Sequence, residues 1–268
     1  INNLSKKINE SIDLIPVINN RSHIIKILLR KDFKNLFNSK KILEKIPLLI
    51  MAGGRGARLK EFTNYFPKPL VPFNNSTATE YIIDNFKKYG VKKFIMSLHY
   101  KKNLIKSYLR ENNVKNLTFL EEKKPMGTAG SIGLLKEKVK SDLFVINCDT
   151  LLSINLEKFF EFHKKNNFSI TMVAAHKNFQ LLYGSCVINK NGELNKISEK
   201  PNLNYLVNVG LYLIKPSLIN YISKKKSYNM DALIKDVKRK GGKIGVFPIS
   251  ENNWIDTGVL KSSDTNIL

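Results

Sequence analysis

From about residue 46 onward, short continuous apolar runs alternate with stretches in which apolar residues are three or four positions apart. The first pattern is typical of buried strands and the second of amphipathic helices. The runs predict strands at residues 46–52, 94–98, 117–120, 143–147 and 170–175. The helical spacing predicts helices at residues 82–89, 104–109 and 156–163, and residues 131–138 are predicted to continue a helix that opens near Gly127. Their alternation predicts parallel βαβ units, and therefore an α/β fold with a Rossmann-like sheet flanked by helices.

The pattern changes after about residue 183, where strand-like segments follow one another directly. These segments are residues 185–189, 194–198 and 206–214. Asn191-Gly192, between the first two, is a strong signal for a hairpin turn. A helix at 230–240 and a strand at 243–248 are expected to follow. We therefore expect a mixed, mostly parallel sheet that carries a β-rich lobe.

The first 42 residues differ in pattern from residues 43–268, and the two segments are predicted to be separate domains. Residues 15–20 are Ile-Pro-Val-Ile-Asn-Asn, a second apolar run follows at 24–28, and residues 30–33 are Arg-Lys-Asp-Phe. This order resembles the closing half of a cystathionine-β-synthase (CBS) motif, in which a Pro-Val strand, a second apolar strand and the start of a helix follow one another. Residues 1–42 would then be a partial CBS-like segment, with the helix start at 30–33. The alternative is a strand and a helix that pack on the following domain.

The chain carries 45 Lys and Arg residues against 22 Asp and Glu, which gives a formal net charge of +23. Clustered cations of this kind would favour a nucleic-acid partner. Here the lysines are scattered along the whole chain, and no helix-turn-helix, zinc-finger or aromatic RNA-binding signature accompanies them. We therefore expect a solvated basic surface and no nucleic-acid partner. The same field would steer an anionic small molecule.

The two cysteines, Cys148 and Cys186, have neither the spacing of a metal site nor that of a disulfide framework. A reducing compartment suits such a chain. The longest apolar run, residues 46–52, is far too short to span a bilayer. The expectation is a cytoplasmic protein without a membrane partner.

A glycine-rich turn directly after the first predicted strand is the strongest chemical signal. Residues 49–59 are Leu-Ile-Met-Ala-Gly-Gly-Arg-Gly-Ala-Arg-Leu, and residues 66–72 are Phe-Pro-Lys-Pro-Leu-Val-Pro. Glycine N–H groups can face an anion without interference from Cβ atoms. Arg55, Arg58 and Lys68 add three cations, and prolines on both sides of Lys68 stiffen its loop. This combination suits a triphosphate.

Two common phosphate-binding motifs do not fit the turn. A Walker A loop ends in Gly-Lys-Ser/Thr, and a dinucleotide fingerprint needs a third glycine where Leu59 stands. The turn and the Pro-Lys-Pro segment instead resemble the signature of the nucleotide-sugar pyrophosphorylase (sugar-1-phosphate nucleotidyltransferase) family. Further landmarks of that family occur in the expected order: Gly127-Thr-Ala-Gly130, Asn147-Cys-Asp149, Tyr183-Gly184, Glu199-Lys-Pro201, Asn208-Val-Gly210 and Trp254-Ile-Asp-Thr-Gly258.

The resemblance implies an enzyme that transfers a nucleoside monophosphate from a nucleoside triphosphate to a sugar 1-phosphate and releases pyrophosphate. Such a reaction needs no protein nucleophile, because positioning and charge neutralisation lower its barrier. The resemblance places Arg58 on the leaving pyrophosphate and Lys68 on the α-phosphate. Arg58→Ala should then lower turnover by orders of magnitude, and a loss of less than threefold would contradict the assignment.

A magnesium site is expected from two carboxylates. Asp149 directly follows a predicted buried strand, at the strand end where α/β sheets bind ligands, and Asp256 lies in a late loop. Two carboxylates leave room for the water and phosphate ligands that Mg²⁺ keeps. Near the phosphates the chain departs from the family pattern: Ala57 replaces a Thr or Ser, and Cys148 replaces a glycine.

The resemblance also implies binding roles for other residues. Those expected at the nucleotide are Ala52, Gly53, Gly54, Gly56, Glu122, Gly127, Thr128 and Ala129. Those expected at the sugar phosphate, in the β-rich lobe, are Gly184, Glu199, Lys200 and Asn208.

The expected base is guanine, because its adjacent N1–H and N2–H₂ donors match a carboxylate such as Glu122, whereas uracil offers a single N3–H between two carbonyls. Some uridylyl-transferring relatives also carry acidic residues nearby, so UTP stays an alternative. A CBS-like segment ahead of this domain is similar to bacterial enzymes that make GDP-activated amino sugars for nonulosonic (legionaminic-type) acids. On that resemblance the expected sugar is glucosamine 1-phosphate.

A non-catalytic regulatory subunit that binds nucleotide through the CBS-like region is an alternative class. Such a protein would be expected to lack part of the charged constellation, but all of it is present: Arg58, Lys68, Asp149, Lys200 and Asp256. The resemblance also allows self-association and, at a complete CBS module, an adenine-nucleotide effector.

Overall fold

The structure is a computed structural model that describes residues 14–19, 21–29, 42–54, 56, 66–219, 221–222 and 227–258. The strands are β1 (Leu14–Ile18), β2 (Ile24–Leu29), β3 (Leu48–Ala52), β4 (Pro72–Phe73), β5 (Ser76–Thr77), β6 (Phe94–Leu98), β7 (Leu117–Glu121), β8 (Leu143–Asn147), β9 (Thr150–Leu152), β10 (Ile170–Gln180), β11 (Ser185–Ile188), β12 (Leu194–Ser198), β13 (Asn202–Ile214), β14 (Ile244–Ile249) and β15 (Trp254–Asp256). The α-helices are α1 (Ala78–Lys88), α2 (Lys102–Glu111), α3 (Gly127–Gly130), α4 (Leu156–Lys165), α5 (Pro216–Ile219) and α6 (Met230–Arg239).

Seven strands form the central sheet, in the order β14-β10-β13-β8-β3-β6-β7. Strand β13 is antiparallel to both of its neighbours, and the other neighbouring strands are parallel. The expected α/β class with a mixed, mostly parallel sheet is thereby confirmed. The chain proceeds from β3 to β6 and β7 on one side and then returns to β8 on the other. In open α/β sheets, ligands bind outside the carboxyl ends of the strands at such a reversal.

Apolar layers cover both faces of this sheet. Leu48 and Ile50 of β3 pack in one layer with α1, α2 and α4, whereas Leu49 packs in the other with α5 and α6. Each of these three side chains is fully buried. Burial of one such side chain stabilises a fold by about 1.5–3 kcal/mol. Both faces of β3 are therefore anchored, and the glycine-rich turn extends from a rigid strand.

Helix α1 illustrates how local sequence sets the element boundaries. Thr77 precedes it, and the Thr77 Oγ1 atom accepts a hydrogen bond from the Glu80 N–H at 3.3 Å. The Glu80 carboxylate in turn accepts from the Thr77 N–H at 2.8 Å. This capping box satisfies two backbone donors that the first turn of a helix leaves open.

The structure corrects one predicted helix and lengthens two predicted strands. The helix expected at 131–138 is wrong, because α3 ends at Gly130 and a 3₁₀ turn, Ser131–Leu135, follows. Gly130 and Gly133 disfavour a continuous α-helix. Strand β10 extends to Gln180 and β13 begins at Asn202 because their outer halves pair with each other, with Phe179 opposite Leu203.

The lobe predicted after residue 183 contains the expected hairpin. Strands β11 and β12 pair antiparallel, and Gly192 in the turn between them has φ of +84°. That left-handed conformation explains the glycine at the turn. Most of the hairpin is exposed.

Strands β1 and β2 form a separate antiparallel pair in the N-terminal segment. Both strands were expected from the CBS-like pattern, and the helix start expected at 30–33 lies outside the described residues. The CBS assignment and the boundary at residue 42 stay predictions. Within the described ranges, the helices are too short or too polar to cross a membrane.

Candidate functional site

A cavity of about 350 Å³ opens at the carboxyl ends of β3, β6 and β8. The residues that line it are Met51, Gly53, Gly54, Gly56, Lys68, Ser97, Glu122, Pro125, Met126, Gly127, Thr128, Asn147, Cys148 and Asp149. Among them are Lys68, Asp149 and most of the residues expected at the nucleotide. Segments far apart in the sequence therefore form one site.

The floor of the cavity is a row of side chains across three adjacent strands. Met51 of β3 is in register with Ser97 of β6 on one side and with Asn147 of β8 on the other. All three residues line the cavity. This row was not predicted from the sequence, although Ser97 and Asn147 are polar residues at the ends of apolar strands and could have indicated it.

Glu122 lies at one end of the row, and its side chain is buried, with 5% of its surface exposed. Its Oε2 atom accepts a hydrogen bond from the Met126 N–H at 3.0 Å. A Cβ atom on Gly53 would lie 2.7 Å from Oε1, so the absence of a side chain at Gly53 makes room for this carboxylate. Two contacts hold the backbone of Glu122. The Glu122 N–H donates to the Leu98 carbonyl, and the Glu122 carbonyl contacts His99 Nδ1.

The Gly127-Thr-Ala-Gly130 segment is fixed to residues 228–230, more than 90 positions later in the chain. Gly127 has φ of +75°, and a Cβ atom there would lie 2.7 Å from the Tyr228 carbonyl oxygen. The Ala129 N–H donates to that same carbonyl at 2.9 Å. Thr128 Oγ1 accepts from the Met230 N–H at 2.9 Å, at the first residue of α6. These partners could not be predicted from local sequence, because they come from a different part of the chain.

Lys68 and Asp149, which line the cavity, meet Asp256 beside Gly258. The Lys68 ammonium forms an ion pair with Asp149 Oδ2. A Cβ atom on Gly258 would lie 2.7 Å from Lys68 Nζ, 2.8 Å from Asp149 Oδ2 and 2.9 Å from Asp256 Oδ1. Asp256 is held in place by the Gly258 N–H, which donates to its Oδ1 at 2.8 Å. The structure thus brings together the two carboxylates that were expected to share a metal ion.

These two carboxylates fit Mg²⁺ better than a metal ion that takes all of its ligands from protein side chains. Within the described residues, no group of three or more His, Cys, Asp and Glu side chains has the arrangement of a metal site. Mg²⁺ is commonly held by one or two carboxylates, with water and substrate phosphates as the remaining ligands. Cys148 is not suited to join them, because burial raises the pKa of its thiol. A neutral thiol is a poor metal ligand.

The glycine-rich turn borders the cavity at three positions, Gly53, Gly54 and Gly56. Gly56 has φ of +72°, a conformation that favours glycine. Ala52 is buried at the end of β3, directly before the turn. Both arginines, Arg55 and Arg58, lie outside the described residues.

The four residues expected at the sugar phosphate are not among those lining the cavity. Two of them are neighbours, since a Cβ atom on Gly184 would lie 3.0 Å from Glu199 Oε2. Lys200 is exposed and has φ of +42°. Asn208 Nδ2 donates to the Tyr212 hydroxyl at 2.6 Å, so part of its hydrogen-bonding capacity is used within β13.

Asn208 is nevertheless linked to the cavity floor through Gly210. Its Oδ1 atom accepts from the Gly210 N–H at 3.1 Å, and Gly210 lies directly against the Asn147 amide. Gly210 has φ of +87° and no room for a Cβ atom. The β-rich lobe and the floor of the cavity are therefore in contact at this glycine.

Comparison with known proteins agrees with the motifs. A family model described as nucleotidyl transferase matches residues 48–264. A mannose-1-phosphate guanyltransferase of Yarrowia lipolytica is 33% identical over 184 residues, which cover 65% of this chain and 50% of that protein. A mannose-1-phosphate guanylyltransferase of Arabidopsis thaliana is 30% identical and covers 78% of this chain and 60% of its own length. The chain thus spans only about half to three fifths of these two relatives.

Two further comparisons cover nearly the whole of the related protein. The D-glycero-alpha-D-manno-heptose 1-phosphate guanylyltransferase of Campylobacter jejuni is 28% identical, over 79% of this chain and 94% of that protein. The crystal structure of HddC from Yersinia pseudotuberculosis superposes with a TM-score of 0.60 at 29% identity, over 80% of this chain and 94% of that one. A second structure of HddC, complexed with GMP-PN, has the same TM-score. With the family model matching most of its length, this chain belongs to the nucleotidyl transferase family.

Proposed function

We propose that this chain transfers GMP from GTP to a sugar 1-phosphate, with release of pyrophosphate. The observation that carries the proposal is that Lys68 and Asp149 line the same cavity as the buried Glu122, and that Asp256 meets them beside Gly258. A charged end suits reacting phosphates, and a buried acceptor suits a base. The names of the guanylyltransferase relatives support GTP as the nucleotide.

The nucleotide would lie across the row formed by Ser97, Met51 and Asn147, with its base toward Glu122 and its α-phosphate toward Lys68. The backbone N–H groups of the glycine-rich turn, from Ala52 to Gly56, would bind the phosphates. The backbone of Gly127, Thr128 and Ala129 would lie along the base and ribose.

In the reaction, an oxygen of the sugar 1-phosphate attacks the α-phosphorus of GTP in line with the departing pyrophosphate. A new P–O bond forms as the bond between the α-phosphorus and its bridging oxygen breaks. Lys68 stabilises the negative charge on the α-phosphate, and Arg58 holds the leaving pyrophosphate. Neither residue forms a covalent bond, because the rate comes from alignment and charge stabilisation.

Asp149 and Asp256 would hold the Mg²⁺ ion. When bound, the ion neutralises phosphate charge that the lysine and arginine alone leave uncompensated. The ion pair between Lys68 and Asp149 also holds that carboxylate beside Asp256.

For the base we propose guanine, since the Glu122 carboxylate can accept from both N1–H and N2–H₂. The names of the mannose and heptose relatives, all guanylyltransferases, support this choice. For the sugar we propose glucosamine 1-phosphate, on the CBS-like resemblance. Lys200 would bind its phosphate, with Gly184, Glu199 and Asn208 around its hydroxyl groups.

The test is release of pyrophosphate from each of the four ribonucleoside triphosphates and dTTP, measured with Mg²⁺ and a panel of sugar 1-phosphates. The panel holds glucosamine, mannose and D-glycero-α-D-manno-heptose 1-phosphates. We expect GTP with glucosamine 1-phosphate to give the highest kcat/KM. A rate with UTP equal to that with GTP would end the guanylyl assignment, and a better rate with mannose 1-phosphate would end the assignment of the sugar.

The N-terminal segment is proposed to be part of a CBS-like module with an adenine-nucleotide effector. The two described strands, β1 and β2, fit a strand pair of such a module. The measurement is the same pyrophosphate assay with added AMP or ATP. An unchanged rate at millimolar AMP and ATP would contradict a regulatory role for residues 1–42 in this chain.

A further inference from the structure

Ser97 has a buried hydroxyl group without a hydrogen-bond partner among the described residues. The residue is fully buried, and in the described part of the chain its Oγ atom has no hydrogen-bond partner. Buried polar atoms without a partner are rare and costly, so each one calls for a physical reason. The other such side-chain atoms within the described residues are Ser131 Oγ, His163 Nε2 and Trp254 Nε1. Of these residues, only Ser97 lines the cavity.

The place of Ser97 in the sheet directs its side chain to the cavity side. Side chains on one strand alternate between the two faces of a sheet. In β6, Met96 and Leu98 pack in the same apolar layer as helices α1 and α2, and Ile95 packs in the opposite layer. Ser97 therefore lies on the face of Ile95, beside Met51 in the neighbouring strand.

A guanine base in this cavity would have one acceptor, O6, for which the groups described so far provide no donor. Guanine presents two donors, N1–H and N2–H₂, and next to them the acceptor O6. The Glu122 carboxylate can serve the donors but would repel O6. The nearby Met126 N–H cannot serve O6 either, because it already donates to Glu122 Oε2. A hydroxyl group is both donor and acceptor, and Ser97 supplies one at the floor of the cavity.

We infer that Ser97 is a specificity-determining residue, whose hydroxyl group donates a hydrogen bond to O6 of the guanine base. The inference rests on the proposed function, in which Glu122 marks the base end of the cavity. It explains why a polar side chain stands in the otherwise apolar strand Phe94–Leu98. Bound nucleotide would satisfy the hydroxyl group that the described residues leave unpaired.

The test measures dissociation constants by calorimetry, with Mg²⁺ and without sugar phosphate, for three nucleotides. GTP carries O6, 6-thio-GTP replaces it by a weaker acceptor, and ITP keeps O6 but lacks the N2 amine. Ser97→Ala should weaken both GTP and ITP by about tenfold, the loss expected for one buried hydrogen bond. The preference of the wild type for GTP over 6-thio-GTP should fall to within about twofold in the variant.

Ser131→Ala is the matched control, because it also removes a buried, unpartnered hydroxyl group but at a position that does not line the cavity. It should leave all three dissociation constants unchanged. A purely structural role for Ser97 predicts that Ser97→Ala behaves like this control. Equal GTP affinity in Ser97→Ala and the wild type, or an unchanged preference over 6-thio-GTP, would overturn the inference.

Folding and base assignment are checked separately. Ser97→Ala should not lower the Tm, since it removes an unsatisfied polar group, and Ser97→Cys, which keeps a side chain of similar shape with a weak donor, serves if the alanine variant does not fold. If the wild type binds UTP more tightly than GTP, the proposed base is wrong. If the wild type prefers GTP over UTP but Ser97→Ala binds GTP as tightly as the wild type, only the role of Ser97 is wrong.

Discussion

The Lys68 ammonium pairs with the Asp149 carboxylate although 81 positions separate the two residues in the chain. Their side chains are only 11% and 15% exposed, so water screens the pair weakly. One partner comes from the Pro-Lys-Pro segment and the other from the loop after β8. The pair therefore joins the cationic and acidic parts of the site.

Lys68→Met should lower kcat by about 100-fold, because a donor that stabilises transition-state charge typically contributes that much. The KM for the sugar phosphate should change little, since the lysine acts on the α-phosphate. Pyrophosphate release under saturating substrates measures the effect. Lys87→Met is the control, since Lys87 forms an exposed pair with Asp84, and a similar loss there would contradict a specific role for Lys68.

Asp149→Asn and Asp256→Asn should each raise the Mg²⁺ concentration needed for half-maximal activity by at least about tenfold. The physical reason is the loss of one of two anionic ligands at a site that otherwise depends on water and phosphate. Titration of the rate with Mg²⁺ at fixed GTP checks this. Asp84→Asn, at an exposed surface pair, should titrate like the wild type. An unchanged Mg²⁺ requirement in either site variant would remove that residue from the metal site.

Gly53→Ala should weaken GTP binding by tenfold or more, because the new Cβ atom would lie 2.7–2.9 Å from the Glu122 carboxylate. That carboxylate is buried and held by the Met126 N–H, so it cannot move without breaking a hydrogen bond. Calorimetric titration with GTP measures the loss. In a Glu122→Ala background the same substitution should cost little more, and full additivity of the two losses would contradict the steric explanation.

His163 should make stability depend on pH below neutrality. Burial lowers its pKa from 6.5 to about 4, against an opposing effect of Asp142, and its Nδ1 lies 2.7 Å from Thr171 Oγ1. A lowered pKa means that the folded state resists protonation, so this contribution is complete above pH 6.5 and is lost as the pH falls toward 4. Urea unfolding at pH 7 and pH 4.5 should show that the wild type loses about 2–3 kcal/mol more than His163→Gln. Equal losses would show that the buried ring is not the cause.

The strands of the central sheet were predicted well because each one is marked by its own local run of apolar residues. Runs such as residues 94–98 and 143–147 are apolar regardless of what lies beside them, and the structure has strands with those bounds. The helix at 131–138 failed because apolar spacing alone did not weigh the glycines at 130 and 133.

Residues of the site could be predicted from the sequence only where they belong to a recognisable motif. Lys68 and Asp149 were found from their motifs, but Met51 and Ser97 were missed because their alignment depends on strand register. Residues 228–230 were missed because their contacts with the Gly127 segment bridge about 100 positions of chain. Register and distant contacts are products of the whole fold, and no local window contains them.

The hydrogen bond from the Thr257 N–H to the Asp149 carbonyl has a consequence for biosynthesis. It joins residues 108 positions apart, next to the carboxylates at Gly258. A nascent chain can complete β3 and β8 early, yet its acidic centre stays unassembled until residue 258 has emerged from the ribosome. A chain stalled before residue 258 would therefore contain the residues proposed to bind the base but would have an incomplete metal site.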